Sequence, residues 1–170
     1  MKQHFQMMAA YNGWANGRVL EAAGALAADD IERDMGAFFG SVLGTLNHML
    51  VADRIWMKRF TGEGEAPARL DAILFPALGA LRAAREAEDE RIVAWIGGLT
   101  EKALSGRFTY MTVTDMRTVS QRLAPALAHF FNHQTHHRGQ VHAMLTALGQ
   151  PSPELDLIQF QRTETGRPFA

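Results

Sequence analysis

The chain has 170 residues and a formal net charge of −1, with 47% hydrophobic and 21% charged residues. This length suits one domain, residues 1–170, with a sizeable core, and the balanced charge without a long basic run argues against nucleic-acid binding. The sequence contains no cysteine, which excludes disulfides, zinc-thiolate sites and a protein-borne thiol nucleophile.

Apolar residues recur every three or four positions in four long segments, and this period predicts amphipathic helices. Glycine, proline and short polar runs separate the segments, as expected at helix ends. The predicted helices run from about Gln3 to Ala27, Phe38 to Phe60, Ala77 to Ile96, and Ser120 to Gly149.

The connections carry weaker signals. A short helical turn is predicted around Leu70 to Leu74, and Arg107 to Val119 has the Thr-, Val- and aromatic-rich composition of a small hairpin turning near Thr114 and Asp115. Ser120 is the predicted N-cap of the fourth helix. From Pro151 to Ala170 we expect a mostly irregular tail, in which Leu155, Leu157, Ile158 and Phe160 are the residues able to pack back on the body.

These elements predict an all-α fold, a four-helix bundle with a small β-hairpin before the last long helix. Bundles assemble cofactor sites in their core from side chains on facing helices.

Five of the seven histidines lie between His129 and His142, within the fourth predicted helix. On a helical wheel His137 lies about 25° and His133 about 65° from the centre of the apolar stripe, whereas the other three lie more than about 100° away. Two inward imidazoles four residues apart can hold one metal ion. On this helix alone, a metal site and a pair of packed, hydrogen-bonded core histidines remain alternatives.

A third ligand would have to come from His4 or His48. His48 is the stronger candidate because small residues flank it on the second helix, which would allow a close helix contact; a boundary histidine with water access is the alternative. His4 lies near a terminus that can fray.

Asp53 falls inside the apolar stripe of the second helix and therefore needs a partner. It could orient a ligand histidine or pair with an arginine for structural reasons, and we favour the second role. Four further residues are candidates for lining a pocket, although core packing explains the tryptophans equally well: Tyr11, Trp14, Trp56 and Arg138.

Three segments resemble the DinB/YfiT-like superfamily of four-helix-bundle metalloproteins, specifically the DinB family. They are Tyr11–Asn16 (YNGWAN), Leu46–His48 (LNH) with Ala52–Trp56 (ADRIW), and Asn132–Gln140 (NHQTHHRGQ). The resemblance implies that His48, His133 and His137 form a three-histidine site for a divalent metal, with His136 as a neighbour that does not ligate. It also implies a homodimer, and relatives that act as transferases or isomerases using low-molecular-weight thiols.

Three neutral imidazoles leave the charge of an ion uncompensated and coordination positions open, which is typical of catalytic sites. The first hypothesis is a metal-dependent transferase that acts through a small-molecule thiol cofactor. The second is a metal-assisted hydrolase using bound hydroxide. The third is a non-catalytic metal-binding stress-response protein.

Zinc and nickel are the leading metals, with iron and copper also compatible with three imidazoles. The expected partner is a small-molecule substrate. Because neither an apolar leader nor a membrane-length apolar run is present, we expect a cytoplasmic protein that does not bind membranes.

Overall fold

Helices dominate the computed structural model, which describes residues 1–112 and 116–170. The elements are, in chain order, α1 (Lys2–Ala23), α2 (Ala28–Glu32), α3 (Val42–Thr61), α4 (Leu78–Gly98), α5 (Glu101–Ser105), β1 (Arg107–Met111), β2 (Thr118–Arg122), α6 (Leu123–Ala147), α7 (Leu157–Arg162) and a 3₁₀ turn (Arg167–Phe169).

The four long helices form a ring of neighbours. Helix α1 packs against α4 and α6, and α3 packs against the same two helices from the other side. The predicted four-helix bundle with a small hairpin before the last long helix is therefore confirmed.

The start of α3 differs from the prediction. The helix begins at Val42 rather than at Phe38, because Gly40 adopts a positive φ of 74° and the side chain of Ser41 accepts a hydrogen bond of 3.0 Å from the Gly44 amide. Phe38 precedes the helix and is 88% exposed. The apolar periodicity extends through residues 38–41, although the backbone of this segment is not helical.

The hairpin pairs Arg107–Met111 with Thr118–Arg122 in antiparallel register. Ser120 lies opposite Thr109 in this ladder, so its prediction as the N-cap of the last helix was wrong. That helix begins directly after the strand, with Arg122 at the capping position and no side-chain cap from the described part of the chain. The predicted turn at Thr114 and Asp115 lies outside the described residues.

The two serines provide a stability test of this correction. Replacing Ser41 with alanine is expected to lower the free energy of unfolding by about 1 kcal/mol, because the first turn of α3 loses its side-chain cap. Replacing Ser120 with alanine removes an exposed strand hydroxyl, so the change should stay within about 0.5 kcal/mol. Urea denaturation of both variants measures the difference, and a larger loss at Ser120 would contradict the assignment.

Two apolar clusters fill the bundle, one towards each end. One cluster contains Leu20, Leu50 and Leu145, and the other contains Met57 and Phe130. Along all four long helices, buried polar residues lie between the stretches that contribute to the two clusters. We call them the polar layer: Asn12 and Asn16 (α1), Asp53 (α3), Arg85 and Asp89 (α4), and Gln134 and Arg138 (α6).

The C-terminal segment packs against α1, as predicted for Leu155, Leu157 and Phe160, whereas Ile158 remains exposed. Phe160 is fully buried, and the Tyr11 hydroxyl donates a 2.6 Å hydrogen bond to the Leu155 carbonyl. Two differences from the prediction are local. The short helix α7 occurs within the tail, and the segment around Leu70 forms a turn rather than a helix.

No helix within residues 1–112 and 116–170 has both the length and the apolar character needed to cross a membrane.

Candidate metal centre

Three imidazoles from two facing helices converge in the structure. His48 comes from the middle of α3, and His133 and His137 come from successive turns of α6. The Nε2 atom of His133 lies 3.4 Å from the Nε2 atom of His48 and 3.1 Å from that of His137. A nitrogen atom from each ring lies within 4.8 Å of the other two, so the group could hold a metal ion.

Hydrogen bonds on the far side of two rings fix their protons. The Nδ1 atom of His48 lies 2.8 Å from the Leu70 carbonyl oxygen, and the Nδ1 atom of His137 lies 2.7 Å from Oε1 of Gln140. Because both oxygens accept, each Nδ1 carries the proton and each Nε2 presents a lone pair to the centre. Oxygen acceptors behind ligating histidines orient them in metal sites in this way.

The spacing of the nitrogen atoms fits a small divalent cation. Imidazole nitrogens bind zinc at about 2.0–2.1 Å, which places two tetrahedral ligands about 3.3 Å apart. The separations of 3.4 and 3.1 Å match this value. Without a cation, the Nε2 of His133 could donate a proton to only one of its two neighbours, which would leave lone pairs facing each other.

Burial keeps the three rings neutral. Desolvation lowers the pKa of His48, of His133 to about 3 and of His137 to about 4. Hydrogen bonds to Leu70 and Gln140 partly oppose the lowering of the pKa at His48 and His137, whereas neighbouring imidazoles add to it at His133 and His137. Neutral imidazole is the form that binds metals, so all three rings are ready to ligate at neutral pH.

One wall of the centre is aromatic. The ring of Phe39 stacks on His48 with a centroid distance of 3.7 Å and meets His137 edge-on at 5.6 Å. Gly44 makes this placement possible, because a Cβ atom there would clash with the Phe39 carbonyl oxygen. The segment before α3 thus shields one side of the imidazole group from water.

The remaining histidines lie outside the group, as the helical wheel indicated. His4, His129 and His136 are exposed, and His142 is half-buried. The ring of His129 lies 6.0 Å from that of His133 and 5.2 Å from Trp56, so it flanks the centre without joining it.

Three of the four candidate pocket residues lie apart from the imidazoles of the metal centre, whereas the ring of Trp56 lies beside the flanking His129 at 5.2 Å. Tyr11 and Arg138 line a separate cavity of about 500 Å³ between α1, α6 and the C-terminal segment. Trp14 packs on Phe160 at 5.7 Å, which is the structural role that core packing predicts for it.

Asp53 belongs to the polar layer rather than to the metal centre. Its carboxylate lies 2.7 Å from Arg85 and accepts a hydrogen bond from Gln134. Burial raises the pKa of Asp53 to about 7, and the Arg85 guanidinium acts in the opposite direction. The favoured structural pairing with an arginine is therefore what the structure shows.

Sequence reasoning missed most of this layer. Arg85 also bonds Asp89 at 3.0 Å, and Asp89 accepts hydrogen bonds from Asn12 and Asn16. Arg138 closes the network by donating to both asparagines. A helical wheel for α4 would have placed Arg85 and Asp89 on one face at i and i+4, which was the available signal.

Comparison with known proteins assigns a family to the chain. The model of the DinB family matches residues 1–167. The chain belongs to the DinB family. Protein DinB of Bacillus subtilis (strain 168) is 25% identical over 152 residues, which cover 86% of this chain and 87% of that protein.

A solved structure shows that the family fold extends over most of the chain. The crystal structure of a DinB-like protein from Bacillus cereus ATCC 10987 superposes with a TM-score of 0.60 at 19% identity, covering 83% of this chain and 90% of the other. This likeness supports the DinB fold. The case for a metal rests on the three histidines themselves and on family membership.

Proposed function

We propose that this DinB-family protein binds one divalent metal ion through His48, His133 and His137. We further propose that it is a metal-dependent transferase that joins a low-molecular-weight thiol to a small electrophilic substrate, acting in the cytoplasm as a homodimer. The observation that carries the metal proposal is the convergence of three imidazoles, in which the Nε2 atom of His133 lies at the spacing of tetrahedral ligands from those of His48 and His137.

The chain's own residues prepare the site. The Leu70 carbonyl and Gln140 hold the Nδ1 protons of His48 and His137, which keeps both Nε2 atoms free. Phe39 covers the face of His48 and limits the access of water. A divalent ion bound here would favour the deprotonated form of a coordinated thiol.

The thiol proposal is supported by composition. No cysteine is present among the 170 residues, so a sulfur nucleophile would have to arrive with a cofactor. Zinc and nickel are the proposed metals because three imidazoles suit both. A metal-dependent hydrolase is the alternative, and a turnover assay of the zinc-loaded protein with and without added thiol separates the two reactions.

Two neighbouring histidines test the ligand assignment. His137→Ala is expected to abolish stoichiometric metal binding, because it removes one of three nitrogen donors, whereas His136→Ala should still carry about one metal ion per chain because its ring is exposed. Metal analysis of the purified variants measures this, with circular dichroism to show that both remain helical. Equal metal loading of the two variants would refute the assignment.

A further inference from the structure

A second cavity lies between the C-terminal half of α3, the loop after it and the hairpin. Its volume is about 660 Å³, within the range of pockets that hold small organic molecules. It is lined by Ile55, Lys58, Arg59, Gly62, Ala66, Pro67, Ala68, Thr109, Tyr110, Met111, Thr112 and Met116. The three histidines of the metal centre are not part of this lining.

The described lining combines apolar surface with positive charge. Met111 and Met116 remain 54% and 69% exposed, so their side chains present an apolar surface to solvent. Methionine side chains adapt to the shape of a ligand. Lys58 and Arg59 supply two positive charges, and no acidic residue is among the described lining residues.

Aromatic rings hold Arg59 in place, and no anionic partner contacts it among the residues that the structure describes. Its guanidinium lies 4.6 Å from the ring centroid of Trp56 and 4.7 Å from that of Tyr110, so two aromatic rings fix its position. Its Nε atom is buried and has no hydrogen-bond partner within residues 1–112 and 116–170. Burial lowers the pKa of Arg59, with a partly compensating interaction from Tyr110, which is the behaviour of a desolvated cation.

Neighbouring arginines differ from Arg59 because they form ion pairs with carboxylates. Each of three others on α3 and α4 lies within 4 Å of a carboxylate: Arg54 with Glu88, Arg85 with Asp53 and Asp89, and Arg91 with Glu88. Within residues 1–112 and 116–170, Arg59 forms no such ion pair. The helix dipole places a partial charge of about −0.5 at the C-terminus of α3, which stabilises a nearby cation. This partial charge is smaller than the combined positive charge of Lys58 and Arg59.

We propose that this cavity binds a small organic carboxylate, with the anionic group on Arg59 and the apolar part against Tyr110 and the two methionines. A guanidinium offers two parallel N–H donors to a carboxylate, so the group supplies both charge and orientation. The aromatic rings that hold Arg59 reduce the conformational entropy that binding would otherwise cost.

The cavity faces the same side of α3 as the imidazole group. Ile55 and Arg59 follow His48 by seven and eleven residues, which places them within about 20° of it and about 10 and 16 Å along the helix axis. A bound carboxylate with a long enough apolar part would extend along α3 towards His48. The binding proposal itself does not depend on the metal or on the reaction proposed above.

Two probes with the same carbon skeleton test the charge requirement. We would titrate the zinc-loaded protein with 4-phenylbutyrate and with the uncharged 4-phenyl-1-butanol, following amide chemical shifts by NMR. The carboxylate should bind roughly tenfold or more tightly than the alcohol, because only it forms charge-assisted hydrogen bonds with Arg59. The largest shifts should fall in residues 55–62 and 109–112.

Substitutions test whether Arg59 causes the preference for the carboxylate over the alcohol. Arg59→Gln should reduce the difference between the two probes to within about twofold, because the amide retains hydrogen bonding but not charge. Arg18→Gln is the matched control, since Arg18 also lies over a tryptophan, at 5.1 Å from the Trp14 ring, but outside the cavity. It should leave the preference unchanged.

Several results would overturn the proposal. Equal affinity of the two probes for the wild-type protein would show that charge is not recognised. A preference that persists in Arg59→Gln would place the carboxylate elsewhere, the metal included. If Arg59→Gln does not fold, the wild-type shift map decides, and perturbations outside the two predicted segments contradict the site.

Discussion

Replacing Arg85 with methionine is expected to lower the free energy of unfolding by about 3–5 kcal/mol. Arg85 is 3% exposed and lies between Asp53, at 2.7 Å, and Asp89, at 3.0 Å. Methionine fills much of the same volume but leaves two carboxylates in the interior without their cation. Breaking a buried ion pair by removing one partner is among the most destabilising single changes.

A second arginine on the same helix controls for the loss of side-chain packing. Arg82 is half-buried and donates to the Leu20 carbonyl at 3.0 Å, without a carboxylate partner in the described structure. Arg82→Met should lower the free energy of unfolding by about 1 kcal/mol. Similar losses for the two variants in urea denaturation would contradict a special role for the polar layer.

The loss in Arg85→Met should depend on pH. Asp53 has a pKa near 7 with Arg85 present, above its ordinary 3.8, and loss of the cation raises the pKa further. A folded state that holds this extra proton is favoured at low pH, so the stability of the variant falls as pH rises. The deficit relative to wild type should therefore be larger at about pH 9 than at about pH 6.

Zinc is expected to stabilise the protein by about 4 kcal/mol when its free concentration exceeds the dissociation constant about 1,000-fold. The folded state presents three oriented imidazoles, whereas the unfolded chain does not, so binding favours folding. Chemical denaturation with zinc and with a chelator measures the gain. Each variant is compared with itself, which removes any effect of the substitution on the metal-free protein.

His133→Ala should lose nearly all of this gain, because His133 is the residue whose Nε2 approaches both other rings. His129→Ala is the matched control, one helical turn away and exposed, and it should keep the gain. A zinc effect of equal size in both variants would show that the stabilising ion binds elsewhere. No zinc effect in the wild-type protein would contradict the proposed site.

The apolar periodicity predicted the bundle because the buried face of a long helix appears in the sequence as apolar residues at every third or fourth position. It misplaced the start of α3 because Phe38 and Phe39 continue the apolar pattern, while the backbone at Gly40 turns the chain away from a helical path. It misread Ser120 because a serine before a helix and a serine in a short exposed strand look alike.

The helical wheel separated the inward histidines from the exposed ones because their directions depend only on α6 itself. The oxygen behind His48 could not be predicted, since it is a backbone carbonyl in an irregular loop twenty-two residues away. Gln140 was within reach of prediction, because it lies three residues after His137 on the same helix.

The polar layer shows the limit of reading one helix at a time. A wheel for α3 shows that Asp53 is buried, but its partners come from α4 and α6. The pairing depends on how the four helices are set against one another along their axes. That alignment is a property of the packed molecule and is not encoded in any single segment.

The loop between α3 and α4 contributes to both the metal centre and the second cavity. Asn47 clamps it by donating to the Phe75 carbonyl at 3.0 Å and accepting from the Phe75 amide at 2.9 Å, while its Leu70 carbonyl holds His48. The same loop supplies residues 66–68 to the second cavity. Replacing the whole loop to change which ligand the second cavity binds would also disturb the orientation of the His48 imidazole. Residues 70 and 75 should therefore be kept while positions 66–68 are varied.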